Sequence, residues 1–489
     1  MAAGSSFALW ETFRDRTAGL GAHAAVSEPA TETTFSALWE DADRLASVFG
    51  VAGAAEGAVV GLALPNSARF VAAFLALCRL DATTALVSPQ YGRAELEPIG
   101  TRLRPSCLIT EDRLAKRLLE GFPNARIERF DGLALLYPRD TGPSPGPPAA
   151  LLKFSSGSTA EPKGIALDAA NILAEAENVT STLGLRSGDS VLAGVPLTHS
   201  YGFDLGVLQT LYAGTTLVLE DAFVPRRTAA TLADRGIAAF LGVPAQYRIL
   251  LATRMSAVPD LSRVRWLLSC TAPLGPEPIA AFHERFHGLI CQHYGSSETG
   301  AVTTHVPSEV LRKLRSVGRA MPGVRLRIAR EDGTDAAVGE EGGVVVAGAA
   351  VARRYVLGAG AGASPFREGA CWTGDVGALD GDGFLVVHGR RGTMINVGGL
   401  KVSPAEVVAA LERHPAVREA AAVGVSGAGG EEVLHAAVVP AGPVSESELL
   451  ALCRSLLSEH KVPRRIEFRQ ELPKTASGKV RLVAEDIQG

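Results

Sequence analysis

Between residue 58 and residue 290, short apolar runs alternate with longer amphipathic ones. The short runs are 58–64, 190–195, 216–219, 238–243 and 265–269, while 207–212, 227–235 and 277–286 carry helical periodicity. This rhythm argues for a layered α/β fold with substantial parallel sheet. At 489 residues the chain exceeds one ordinary core, so a large N-terminal unit with a smaller partner is expected. Two breaks support that division. Residues 138–148 carry five prolines and two glycines and read as a loop. A second break, Gly389–Gly392, follows a strand-like 384–388. Beyond it comes a compact α+β pattern: helices over 404–413 and 446–460, and strands near 420–425, 435–439 and 465–468. The expected division is therefore 1–388, a hinge at 389–392, and 393–489.

The formal charge of −4 gives no reason to expect nucleic acid or an anionic membrane as a partner. Cys78, Cys107, Cys270, Cys291, Cys371 and Cys453 form no C-x-x-C pair and lie near no histidine cluster, so neither a zinc site nor a disulfide framework is indicated. The first residues lack a basic region followed by an apolar stretch, and no apolar run approaches the roughly 18 residues of a membrane span. A cytoplasmic location is the expectation.

Four segments carry chemistry. Ser155-Ser156-Gly157-Ser158-Thr159-Ala160-Glu161-Pro162-Lys163-Gly164 follows a strand-like 151–154. Small hydroxyl residues and glycines let N–H and O–H groups surround phosphate oxygens, and Lys163 adds a cation. It is not a Walker A loop, because no Ser or Thr follows the lysine. Tyr294-Gly295-Ser296-Ser297-Glu298-Thr299-Gly300 follows a strand-like 289–292, and its carboxylate suits Mg²⁺ beside phosphate oxygens. Trp372-Thr373-Gly374-Asp375, with Gly389-Arg390 further on, reads as a carboxylate at a strand end, suited to ribose hydroxyls. Leu472-Pro473-Lys474-Thr475-Ala476-Ser477-Gly478-Lys479 is a glycine-hinged tip that can deliver an ammonium elsewhere. The first taken alone favours phosphate binding over a polar turn. Each of the others, taken singly, reads more simply as a polar turn or a basic tail.

Together, and in this order, the four segments resemble the acyl-CoA synthetase, luciferase and nonribosomal-peptide adenylation superfamily over nearly the whole chain. Pro196-Leu197-Thr198-His199, Ser269-Cys270-Thr271-Ala272-Pro273-Leu274 and Gly398-Gly399-Leu400-Lys401-Val402-Ser403-Pro404-Ala405-Glu406 add to the likeness. The resemblance implies a large multi-sheet domain with a small mobile lid, and two half-reactions. A carboxylate attacks the α-phosphate of ATP and pyrophosphate leaves; a thiol, of CoA or a carrier-protein pantetheine, then takes the acyl group. It also implies roles. Residues Ser155 to Lys163 would hold the β- and γ-phosphates, Glu298 Mg²⁺, and Ser297 the α-phosphate region, with Tyr294 and Gly295 in the same nucleotide-binding segment. Asp375 with Arg390 would hold the ribose, Lys479 would bridge carboxylate and α-phosphate, and Gly398 and Gly399 would border the thiol tunnel. Three positions depart from the family pattern: Ala160 stands for a glycine, Ser297 for a threonine, and Gly392 for the usual Asp or Lys of the hinge.

For the acid, amino-acid-activating relatives carry an aspartate where this chain has Tyr201, and Asp204 comes three residues late. Pro196–Gly202 instead resembles aryl- and acyl-CoA ligases, with His199 at the pocket mouth. Tyr201, Cys270, Thr271, Ala272 and His293 would line the pocket. Cys270, Thr271 and His293 are bulkier than the glycines common there, which favours a small aryl or short acyl acid. Two rival readings are an enzyme that loads a carrier protein and an inactive nucleotide-binding sensor.

Overall fold

The computed structural model describes the chain except residues 1–4, 120, 123, 139–148, 157–161, 359–363, 391–394, 398–399, 427–431, 458, 475–479, 481 and 488–489. Gly157, Ser158, Thr159, Ala160, Gly392, Gly398, Gly399 and Lys479 therefore lie outside the described residues.

Two large sheets dominate. One has nine strands, in the order Arg319–Ala320, Gly300–Thr304, Ile290–Ser296, Trp266–Ser269, Ile237–Gly242, Ser190–Ala193, Thr216–Leu219, Ala24–Ser27 and Glu32–Thr34. Its six central strands are parallel and its edges antiparallel. The other has eight strands, with Leu151–Ser156, Thr83–Leu86, Val59–Ala63 and Cys107–Glu111 parallel at its centre. The apolar runs are continuous because these strands are covered on both faces. The helix Ala68–Arg79 shows the same logic. Phe70 through Cys78 are all buried, so it is apolar all round and belongs inside, with Ser67 Oγ capping its start at Phe70 N (3.2 Å). Phe74 and Phe70 meet Phe203 edge-on, with centroids 5.0 and 6.5 Å apart, which ties this helix to the segment after His199.

A five-stranded antiparallel sheet contains Val324–Ala329, Gly342–Gly348, Ala370–Leu379, Phe366–Arg367 and Leu385–Arg390. Beyond it, Ile395, Val402, Val407, Leu411, Leu434, Val438, Leu449 and Ile466 gather in a core of their own, under the strands Val417–Ser426, Glu432–Pro440 and Arg465–Phe468. The small C-terminal α+β unit is thus present. Arg248 on the large unit bonds Glu412 on the small one at 2.7 Å.

Several expectations are corrected. The strand expected to end at Gln292 continues to Ser296, so Tyr294 and Gly295 are strand residues and only a tight turn separates them from Gly300–Thr304. Asp375 is not at a strand end. It lies inside Ala370–Leu379, where Gly374 takes φ +81° and a register shift follows Val376. A side chain resists that dihedral, and the local break turns Asp375 out of regular alternation. The helix expected over 207–212 begins earlier, at Ser200–Gly202, and passes through a wider π-type turn, Phe203–Val207, before Leu208–Ala213. The helix expected to reach residue 460 stops at Leu456.

Candidate active site

The described ends of the phosphate-loop motif belong to two paired strands. Leu151–Ser156 pairs antiparallel with Pro162–Leu167, placing Ser155 opposite Lys163 and Ser156 opposite Pro162. The strand Arg354–Leu357 adds to the far side of the hairpin, Tyr355 opposite Ile165. That pairing brings Tyr355 to the centre of the site. The Lys163 ammonium lies 5.3 Å from its ring centroid, and its hydroxyl donates to Glu298 Oε1 at 2.9 Å. The Glu298 carbonyl accepts from Ala352 N at 2.8 Å. A partly buried carboxylate held by one phenol hydrogen bond still has oxygen lone pairs to offer a hard cation, so the group fits Mg²⁺.

The turn that carries Glu298 is internally braced. Ser296 N donates to Thr299 Oγ1 at 3.1 Å, and Gly300 takes φ +67°. Ser297 Oγ meets Ser200 Oγ at 2.6 Å, which joins this turn to the residue after His199. His199 caps the short helix Ser200–Gly202 through Nδ1, which accepts from Tyr201 N at 3.3 Å.

The third motif meets the second through a phenol. Tyr294 donates to Asp375 Oδ2 at 2.6 Å, and Arg390, the register partner of Asp375, approaches Oδ1 at 3.8 Å. Burial first, and then the Asp375 charge, push the Tyr294 phenol well above its ordinary range, so it stays a donor. Asp375 N donates to Thr373 Oγ1 at 3.1 Å, and Arg390 to Thr373 O at 3.2 Å.

The expected acid pocket is different in kind. Tyr201 and His293 are buried and stacked, with centroids 5.8 Å apart and planes at 27°. Cys270 is buried as well. The Tyr201 hydroxyl and His293 Nδ1 are buried and have no hydrogen-bond partner among the described residues. Burial lowers the His293 pKa to about 4, so its ring is neutral at pH 7. Thr271 takes φ +77°, a left-handed conformation strained for a β-branched residue. Ala272 beside it is exposed. Asp204 is not open to a substrate amine, because both of its oxygens accept from Lys153 Nζ, at 2.6 and 2.7 Å.

The structure thus joins Lys163 to Glu298, Glu298 through its own turn to Ser297 and Tyr294, and these in turn to Ser200 and Asp375. Sequence reasoning missed Tyr355 and Lys153. Tyr355 owes its place to edge pairing with a distant strand, which leaves no local signal. A lysine inside an apolar strand is such a signal, and Lys153 went unread.

A phosphate hairpin, a carboxylate-bearing turn and a second buried-phenol carboxylate on one scaffold define an adenylate-forming enzyme. The chain belongs to the AMP-binding enzyme family: that family's model matches residues 13–356, and the model of the AMP-binding enzyme C-terminal domain matches 406–479. It is similar to the indoleacetate–CoA ligase of Aromatoleum aromaticum, 31% identical with 96% of this chain and 95% of that one covered. It is similar also to the sulfoacetate–CoA ligase of Cupriavidus necator, 32% identical with 91% of each covered. Among solved structures, it matches o-succinylbenzoate coenzyme A synthetase from Bacillus subtilis in complex with ATP and magnesium ion. That match has a TM-score of 0.82 and 26% identity, covering 96% of this chain and 98% of that one. The chain is therefore an AMP-forming acid–thiol ligase. Among the described residues no helix is long and apolar enough to cross a membrane.

Proposed function

We propose that this enzyme uses ATP and Mg²⁺ to convert a small aryl or short acyl acid into its adenylate and then passes the acyl group to CoA. The observation that supports the size limit is the buried Tyr201–His293 stack and the buried Cys270, side chains that in this reading occupy the end of the acid pocket. The two curated relatives above act on an aryl acetate and on a two-carbon acid at nearly equal identity, so overall likeness does not decide the acid. The α-amino acid class is disfavoured, because Asp204 is engaged by Lys153.

Ser155, Ser156, Gly157, Ser158, Thr159 and Lys163 hold the β- and γ-phosphates. Glu298 would hold Mg²⁺, which when bound would supply charge neutralisation for the phosphates. Ser297, tied to Ser200, steers the α-phosphate toward the carboxylate, which enters past His199. Tyr294 and Gly295 flank the nucleotide, and Asp375 with Arg390 takes the ribose hydroxyls. Lys479 bridges carboxylate and α-phosphate in the first step, and Gly398 and Gly399 border the thiol path in the second. Because these two groups share the small unit, that unit turns between the steps about Gly392, with 1–388 and 393–489 as the moving bodies. A carrier-protein pantetheine as acceptor finds no support in the relatives, which are named for CoA. The six free, buried cysteines suit a reducing cytoplasm.

The test is to incubate the protein with ATP, Mg²⁺, CoA and a panel of acids, and to weigh the products. An acyl-CoA formed from a benzoate-sized or shorter acid, with AMP released, is expected. Adenylate that is discharged only onto a carrier protein would overturn the CoA assignment.

A further inference from the structure

Lys153, Asp204 and Glu175 are each 3% exposed, and they come from three different elements. Lys153 lies two residues before Ser155 on the strand Leu151–Ser156, and so on the same face of the strand. Its ammonium donates to both oxygens of Asp204, in the turn Phe203–Val207, four residues after Ser200. Glu175, in the helix Ala169–Leu183, accepts from Ala301 N at 2.8 Å, three residues past Glu298. A Cβ at Gly300 would overlap the Glu175 carboxylate, so the metal-bearing turn rests directly on it. Glu175 Oε2 is buried with no hydrogen-bond partner among the described residues.

Count the charges that face Glu175. Asp204 and Lys153 act on it across the cluster, and the Ala301 N–H approaches from its strand. On its own helix, Glu177 instead accepts from Tyr212, and Asn171 donates to Ala349 O. One ammonium therefore serves two buried carboxylates. An unpaired buried carboxylate is costly, and it keeps its proton instead. Burial raises Asp204 as well, but the charge and both bonds of Lys153 oppose that, whereas Glu175 accepts only from the Ala301 N–H among the described residues, so Glu175 is the group better placed to hold the proton. Burial, then the charge of Asp204, raise Glu175 to about 8, with Lys153 and the Ala301 N–H opposing.

We infer that Lys153, Asp204 and Glu175 are buried positioning residues that hold the phosphate hairpin, the Ser200 segment and the Glu298 turn in place and so set nucleotide affinity. The inference rests on the nucleotide-site reading above. Removing the proton leaves two carboxylates against one ammonium. Their repulsion acts on Ala301 and Gly300, and through them on Ser297 and Glu298.

The test measures binding of a non-hydrolysable Mg·ATP analogue to the full chain by calorimetry, near pH 7 and near pH 9. No acid substrate is needed. The parent is expected to bind about tenfold more weakly at the higher pH, the scale of one pKa unit. Glu175→Gln mimics the uncharged acid and keeps an oxygen that accepts from Ala301 N. It should match the parent at neutral pH and stay flat as pH rises. Asp204→Asn should flatten the profile too, since one carboxylate then remains against one ammonium. A parent profile that is already flat, or one that both variants reproduce unchanged, overturns the inference. Absence of any nucleotide binding by the parent would remove the site reading and this network's role with it.

Discussion

On the nucleotide side, Tyr294 donates to Asp375, Tyr355 donates to Glu298, and Ser200 and Ser297 share a hydrogen bond. On the acid side, the Tyr201 hydroxyl and His293 Nδ1 are buried without hydrogen-bond partners among the described residues, and Thr271 holds a left-handed backbone. Both regions hang on the same strand, Ile290–Ser296, with His293 facing one and Tyr294 the other. The first arrangement fixes groups before any ligand arrives, as binding a constant ligand such as ATP demands. The second carries unspent polar capacity and strain, features that cost stability unless a particular occupant uses them. Within one site, the invariant chemistry is braced and the selective chemistry is left under tension.

The largest expected effect is at Lys479, proposed to offset charge crowding where carboxylate meets α-phosphate. Lys479→Ala should lower adenylation by roughly 10²–10³-fold, the scale of one lost electrostatic stabiliser. Thioester formation from pre-made acyl-adenylate should suffer far less, and equal losses in single-turnover assays of the two steps would refute the role. Next comes the bracing of the metal. Tyr355→Phe removes the donor that orients Glu298, and should weaken the Mg²⁺ response about tenfold, as outer partners of metal ligands do. A Mg²⁺ titration superimposable on the parent's would show that the phenol does not orient the carboxylate.

On the acid side the effects are smaller and concern selection. Thr271→Gly relieves the left-handed strain and removes bulk. Preference should shift about tenfold toward larger acids, the scale of a methylene-sized change in a pocket. Stability should change by no more than about 1 kcal/mol, because glycine's added chain entropy offsets the strain released. Unchanged relative kcat/KM values across acids would place Thr271 outside the pocket. The smallest effect is that of His293 on stability against pH. Its folded pKa lies near 4, below the ordinary 6.5, so the unfolded chain takes up the proton first as pH falls. Stability is therefore lost progressively from about pH 6.5 down to about pH 4. His293→Phe should blunt that fall in Tm, and a variant that melts with the parent's acid dependence would show that His293 is not a cause.

The segments proposed to hold the nucleotide could be picked out because each is local. Glu298, Asp375 and Lys163 each sit in a short segment rich in glycines and hydroxyls. The layered α/β scheme was legible for a similar reason: buried parallel strands appear as continuous apolar runs. What stayed hidden depends on long-range pairing. Tyr355 reaches Glu298 only because Arg354–Leu357 joins the hairpin's edge. Lys153, Asp204 and Glu175 meet across three elements and look ordinary in isolation. The placement of Asp375 within a strand followed from the dihedral of Gly374, which spacing does not reveal. For the acid pocket, bulk could be read from residue type, but the strain at Thr271 and the unpartnered atoms of Tyr201 and His293 could not.

The central claim is that side chains of this protein close the acid pocket early while leaving the adenylation chemistry intact. It is tested most directly by acid-dependent pyrophosphate release, with kcat/KM compared across unmodified acids from short acyl and benzoate-sized to palmitate-length. The account predicts that the small acids win decisively and that the long chain is barely activated. Efficient activation of the palmitate-length acid by the unaltered protein would contradict it.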